Sequence, residues 1–308
     1  MMPTNMFCVS TSWNFKQHQN AEGIVNEIRE LGIENIELNF SLSSKLVEEF
    51  VLLKNKGMAN IVSLHNYCPV PDGIDPSKAS PDNPCLSSII EEERLEAVAN
   101  TKKTIDYANR LNAKAVVLHM GRVNIKGRTI SLGRAGKESS LYGEIKAKMV
   151  EERKENSRPY FEMAIRSLEE LEPYADKMGI SLGVENRYYF REIPSIDEMC
   201  HILDHFGGSR IYYWHDAGHA QMHENLGLAE HEDYLKKLTG RLLGVHLHDI
   251  SGIQDHKVPG DGKFDFKKLI PYIKKDTLKV IEAHQPATSD DLKRGIKFLT
   301  EIFKQTKE

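Results

Sequence analysis

The sequence predicts a closed (β/α)₈ barrel, the TIM-barrel class of α/β fold. Three observations carry that prediction. Eight short apolar runs alternate with stretches of helical period, one unit in about 35–40 residues. The runs are apolar throughout, as parallel strands buried on both faces require. No Gly-x-Gly-x-x-Gly turn follows the first run, which weighs against an open doubly wound sheet. At 308 residues the chain suits one barrel with long loops, spanning 1–308.

Each element has its own signal. The first strand is Phe7-Cys8-Val9-Ser10, followed by Ile24, Val25, Ile28 and Leu31 on one helical face that Gly32 ends. Ile36-Glu37-Leu38 is the second strand, with a helix from Ser44 to Lys56. Ile61 to Leu64 is the third, and a proline-rich loop at about 66–90 leads to a helix over Glu91–Leu111. Ala115 to Leu118 is the fourth strand. A polar stretch over 123–157 then reads as a second long loop, ahead of a helix from Phe161 to Met178. Ser181 to Val184 is the fifth strand, and Ser195-x-x-Glu198 reads as a capping box opening the next helix. Ile211 to Trp214, Leu243 to Val245 and Lys279 to Ile281 complete the strands, and Asp290 to Phe303 is the last helix.

Composition narrows the function classes. The formal net charge is −4, so no global basic field draws in nucleic acid or an anionic membrane. The start, Met1 to Phe7, lacks the basic and apolar features of a secretion signal, and no apolar run approaches the ~20 residues that span a bilayer. Cys8, Cys68, Cys85 and Cys200 form no Cys-x-x-Cys pair. Cys68 and Cys85 share one loop and could pair, but reduced thiols in a cytoplasmic protein are the expectation.

The residues that bind metals concentrate at strand ends. Of 13 histidines, eight lie at or just beyond a carboxyl end: His65, His119, His215, His219, His246, His248, His256 and His284. In a β/α barrel that rim is where active sites are built. Alternation along a strand lets His246 and His248 share one face, whereas only one of His215 and Asp216 can point inward. Asp216 and His219 meet if the chain turns at Ala217-Gly218. Mixed imidazole and carboxylate donors suit Zn²⁺, Mn²⁺ or Fe²⁺.

Taken in order, these strand ends resemble the xylose isomerase-like TIM-barrel superfamily, also called the AP endonuclease family 2. The likeness runs from Ser10 to Pro286. It rests on His65, His119-x-Gly121, Glu185-Asn186, Asp216-x-x-His219, His246-x-x-Asp249, the run His256 to Gly262, and Glu282. The resemblance implies a four-ligand core of Glu185, Asp216, His246 and Glu282. Isomerases and epimerases of the superfamily work with that core and one divalent ion, with Glu185 and Glu282 as paired acid and base. Endonuclease IV-like phosphodiesterases hold three zinc ions, and their added ligand positions match His65, His119, His219 and His256. One carboxylate departs from that pattern, because Gln254-Asp255-His256 stands where Asp-x-His is expected.

The added histidines favour a metal-dependent phosphoester hydrolase, for which clustered ions ionise water and hold phosphate. Residues His219 and His256 then join Glu185 and Glu282 in the chemistry. The alternative is a sugar or sugar-phosphate isomerase or epimerase with a single ion. The expected cofactor is zinc, one to three ions, with Mn²⁺ or Mg²⁺ as the alternative. A narrower likeness to cobamide-remodelling phosphodiesterases rests on Glu185 to Tyr189 and Trp214 to Ala220. Arg187, Tyr67 and His248 are the candidate substrate-binding residues, with His248 and Asp249 also placed to orient His246. The remaining histidines read as surface or packing residues, with His284 the first exception to expect. The 123–157 stretch, glycine-hinged and of mixed charge, reads as a lid that orders on substrate. The partner expected is a small phosphoester or sugar, and nucleic acid rests on fold analogy alone.

Overall fold

Eight parallel strands close into a ring in the computed structural model, which describes residues 6–304. The amino-terminal reading above falls largely on residues 1–5, which lie outside the described residues. β1 (Cys8–Ser10), α1 (Ala21–Glu30), β2 (Asn35–Leu38), α2 (Ser44–Asn55) and β3 (Asn60–His65) open the chain. α3 (Glu91–Leu111), β4 (Ala115–Leu118), α4 (Thr129–Ala135), α5 (Ser140–Met178) and β5 (Ser181–Glu185) follow. Next come α6 (Ile196–His205), β6 (Ile211–Asp216), α7 (Ala217–Asn225), α8 (His231–Leu238) and β7 (Leu242–Leu247). A hairpin of β8 (Asp249–Ser251) and β9 (Gln254–Lys257) precedes β10 (Leu278–Ile281) and α9 (Ser289–Lys304). The ring runs β1 through β7 in sequence order and closes through β10 onto β1.

The helices start where the chain supplies caps. Asn20, Ser43 and Ser139 each accept a backbone N–H of the first turn. The predicted box forms at Ser195, with Glu198 returning the bond to the cap backbone. Asn112 and Gly179 end α3 and α5 in the left-handed region, at φ 57° and 73°.

The inside of the barrel is solid. Cys8, Val62, Ala115, Val117, Trp214, Leu278 and Val280 form a buried cluster apart from the larger core under the helices. Trp214 fills its middle. A Cβ at Gly183 would lie 2.8 Å from the indole, and one at Gly244 would lie 2.4 Å from it, so the flanking strands β5 and β7 carry glycine there. Period-two geometry then sets the rim. Val117 is followed two residues on by His119, Gly183 by Glu185, Trp214 by Asp216, Gly244 by His246, and Val280 by Glu282.

The expectations for the 123–157 stretch are corrected. The polar stretch over 123–157 is not a loop: α4 and the first half of α5 occupy most of it, and the helix expected from Phe161 begins at Ser140. Its polarity reflects a helix with much of its surface in water. It is also tied down rather than free to close. The Tyr142 hydroxyl donates to Leu226 O at 2.5 Å, Lys146 donates to Gly227 O at 2.6 Å, and Arg128 pairs with Glu152. The β8–β9 hairpin carries too few apolar residues to have been visible. Cys68 and Cys85 are free thiols, as are Cys8 and Cys200. Among the described residues, no helix is long and apolar enough to cross a membrane.

Candidate metal centre

Four strand ends converge on one point. Ligand atoms of Glu185, Asp216, His246 and Glu282 all lie within 4.8 Å of one another, and all four residues are buried. His246 Nδ1 is 3.0 Å from Glu185 Oε1, 3.0 Å from Glu282 Oε2 and 3.6 Å from Asp216 Oδ2. Burial pulls His246 down, but Glu282, Glu37 and Glu185 raise it well above the ordinary histidine value. Burial would likewise raise the Glu185 carboxyl, yet His119 and His246 hold it well below its usual range. Three buried carboxylates thus draw protons onto imidazoles. A divalent cation answers the same need, and this donor set of one imidazole and three carboxylates fits Zn²⁺ or Mn²⁺.

Asp216 is held on every side. It caps α7 by accepting His219 N–H at 2.7 Å, and its backbone bonds the Asn186 side chain at 2.7 and 3.0 Å. His248 reaches both of its carboxylate oxygens, at 2.9 and 3.0 Å. His248 Nδ1 accepts His256 N–H at 2.9 Å, which places the donating proton on Nε2. Both ring nitrogens of His248 are thus engaged, one by the Asp216 carboxylate and the other by the His256 backbone, and the ring groups with His219 and His256. The chain enters α7 without a break after Asp216. Gly218 serves close packing there, since a Cβ would lie 2.0 Å from the His248 ring.

The added histidines sit around the same cavity. His119 Nε2 is 2.7 Å and His65 Nε2 is 3.4 Å from Glu185 Oε2, and these three form a second group of ligand atoms. Burial drives His219 down to about 4. Its Nδ1–H donates to Asn186 O at 3.1 Å, leaving Nε2 to face the Asp255 carboxylate at 3.8 Å. His256, left-handed at φ 51°, lies with Nδ1 3.0 Å from Asp255. The displaced carboxylate thus still reaches the rim. His215 points outward instead, to the Tyr213 hydroxyl and to His231, as alternation requires.

Arg187 lines the cavity between two carboxylates, Asp82 at 3.0 Å and Glu192 at 3.1 Å. Its Nε and Nη1 have no hydrogen-bond partner. Arg153 of α5 clamps this turn by donating to Phe190 O and Glu192 O. Tyr67 is corrected: it is buried, and its hydroxyl donates to Pro84 O at 2.6 Å within the long loop. Three other residues escaped sequence reasoning, Asp82, Glu192 and Glu37. Asp82 arrives on the proline-rich loop and Glu192 follows a double tyrosine, while His284, already named at its strand end, stacks on His256. Glu37, wholly buried, sits 3.1 Å from His246 Nε2 and accepts from Ser63 Oγ at 2.7 Å. Only Glu37 left a signal, an acid inside an apolar strand.

His223 lies behind this rim, buried on α7. Its Nε2–H donates to Tyr188 O and its Nδ1 accepts from the Tyr234 hydroxyl, so the neutral ring fits. Burial depresses it from the ordinary 6.5 to about 4. The unfolded chain therefore binds the proton first, and stability present above pH 6.5 is lost as pH falls toward 4, by roughly 3 kcal/mol for this group. Urea unfolding at pH 7 and pH 5 should show a smaller pH dependence in His223→Gln than in the wild type. Equal slopes in the two proteins would refute this.

The model of the family described as xylose isomerase-like TIM barrel matches residues 25–302. The chain belongs to that family. Solved structures with this xylose isomerase-like fold match it almost end to end. A D-tagatose 3-epimerase-like protein is 19% identical over 98% of each chain, with a TM-score of 0.69. A 3-keto-D-glucoside 4-epimerase from E. coli is 17% identical over 96% of this chain and 99% of its own, with a TM-score of 0.68. An IolI protein with a bound zinc atom is 13% identical over 97% and 98%, with a TM-score of 0.66. No curated protein matches the chain.

Proposed function

We propose that this chain is a divalent-metal-dependent isomerase or epimerase of a sugar or sugar derivative. The pairing of Glu185 and Glu282 carries the reading. Each places an oxygen 3.0 Å from His246 Nδ1, and each lines an open cavity of about 340 Å³. The fold relatives described as epimerases support the same direction. The alternative drawn from sequence therefore displaces the phosphoester hydrolase.

Glu185, Asp216, His246 and Glu282 would hold the ion, which would supply positive charge to polarise a carbonyl of the sugar. One glutamate takes the proton from the carbon beside that carbonyl. The other returns a proton to the opposite face of the same carbon, which inverts it; a proton returned to the neighbouring carbon isomerises the sugar. His119 bonds the outer oxygen of Glu185 and fixes the plane of that carboxylate. Arg187, whose Nε and Nη1 make no hydrogen bond although Nη1 lies 3.7 Å from Glu185 Oε2, is placed to bind a sugar oxygen.

Metal content and hydrogen exchange test the reading together. The purified protein should hold one divalent ion per chain and place deuterium on a ketose carbon in heavy water, and chelation should abolish both. Two or three zinc ions, cleavage of a phosphoester and no carbon-bound exchange would overturn it. The hydrolase would then return, with His65, His119 and Glu185 as the added ligand group.

A further inference from the structure

The cavity above Glu185 and Glu282 does not end at the size of one sugar ring. It meets a second cavity of about 450 Å³, and Asp255, His256 and His284 line both. Each volume falls within the ~300–1,000 Å³ typical of ligand sites. The sill between them is a stack of imidazole rings. His256 lies between His248 and His284, with ring centroids 4.2 and 3.8 Å apart and planes within 11° and 9°.

Apart from the ion that Glu185 and Glu282 would hold, acidic side chains outnumber basic ones in the lining of both cavities. Glu185, Glu192, Asp255 and Glu282 line the first, where the one guanidinium, Arg187, is already shared by Asp82 and Glu192. In the second, Lys257 faces Asp255, Asp261 and Asp291. The amino end of α9, which borders it, is already capped: Thr288 Oγ1 accepts Asp291 N–H, and Asp291 accepts Thr288 N–H. Arg294 pairs with Asp291 and Asp261 there, so a phosphate dianion would meet three carboxylates against Lys257 and an arginine already engaged by two of them, with no free helix end to receive it. An uncharged polyol would meet hydrogen-bonding groups instead.

We infer that the substrate is an uncharged sugar bearing a second unit, a glycoside or disaccharide, whose reacting ring lies over Glu185 and Glu282 while its second unit lies beyond the His256–His284 sill. The inference rests on the isomerase or epimerase reading.

Carbon-bound deuterium exchange by the metal-loaded protein tests it with three probes: D-tagatose, D-tagatose 6-phosphate and a 3-keto-D-glucoside. The glycoside should exceed the free ketose in kcat/KM by about tenfold or more, with the phosphate ester last. Ala287 lines only the second cavity. Ala287→Trp should therefore remove most of the glycoside's advantage and leave exchange with the free ketose unchanged, which also reports that the variant folds. If it does not fold, the order of the three probes on the wild type decides alone. Free ketose or phosphate ester equal to or better than the glycoside overturns the inference and leaves the isomerase reading intact. Exchange with none of the three, together with phosphoester cleavage, overturns both.

Discussion

Glu282→Gln should slow carbon-bound proton exchange by about 10²–10⁴-fold, the range lost when a positioned acid or base is removed. Glutamine keeps the shape of this buried strand end but cannot take up a proton. Glu185→Gln should be as damaging and should also cost metal, because both of its oxygens are engaged, one by His246 and the other by His119. Asp216→Asn separates binding from folding. Asparagine still caps α7, whereas the charge that favours a cation is gone. Metal analysis, circular dichroism and exchange rates on the same preparations should show a folded barrel, depleted of its ion and slow. Unimpaired exchange in Glu282→Gln would remove the acid–base pair. Full metal retention in Glu185→Gln, in Asp216→Asn and in the double variant would remove the centre itself.

Glu37→Gln should weaken the divalent ion by about 10–100-fold, as outer partners of metal-binding histidines commonly do. The Glu37 carboxylate accepts from His246 Nε2, which keeps Nδ1 turned toward the three carboxylates above, where it would bind an ion that displaces its proton. The Ser63 hydroxyl holds its other oxygen in place. Glutamine fills the same space without the charge that makes the imidazole a better donor. Competition against a chelator of known strength reads the change directly. An unaltered dissociation constant would reduce Glu37 to a packing residue.

The two glutamates were not equally visible in the sequence. Glu282 stands where an apolar run stops, and an acid at a barrel strand end signals the rim. Glu37 lies inside a run, where burial on both faces made it look like part of the core. All eight strands could be read because each is short, apolar and bounded by turns. The stretch over 123–157 was misjudged because a helix with most of its surface in water lacks the apolar stripe that periodicity detects. Asp82, 103 residues before Glu185, left no local trace, since nothing near it says which way a long loop folds back. The added histidines were legible as strand-end residues, and the structure gathers them into groups, His65 and His119 with Glu185, and His219 and His256 with His248. Strand-end position cannot tell an imidazole that binds an ion from one that steadies a neighbouring carboxylate, as His248 does for Asp216.

Trp214, wedged between Gly183 and Gly244, gives the reaction chamber a closed floor. Traffic through it therefore runs both ways along one road. Whatever leaves must pass the sill and rim by which the next molecule arrives. For a reaction whose product is the same size as its substrate, the two compete for that road on nearly equal terms. Net flux then follows whichever isomer the surroundings remove, and the barrel itself imposes no direction.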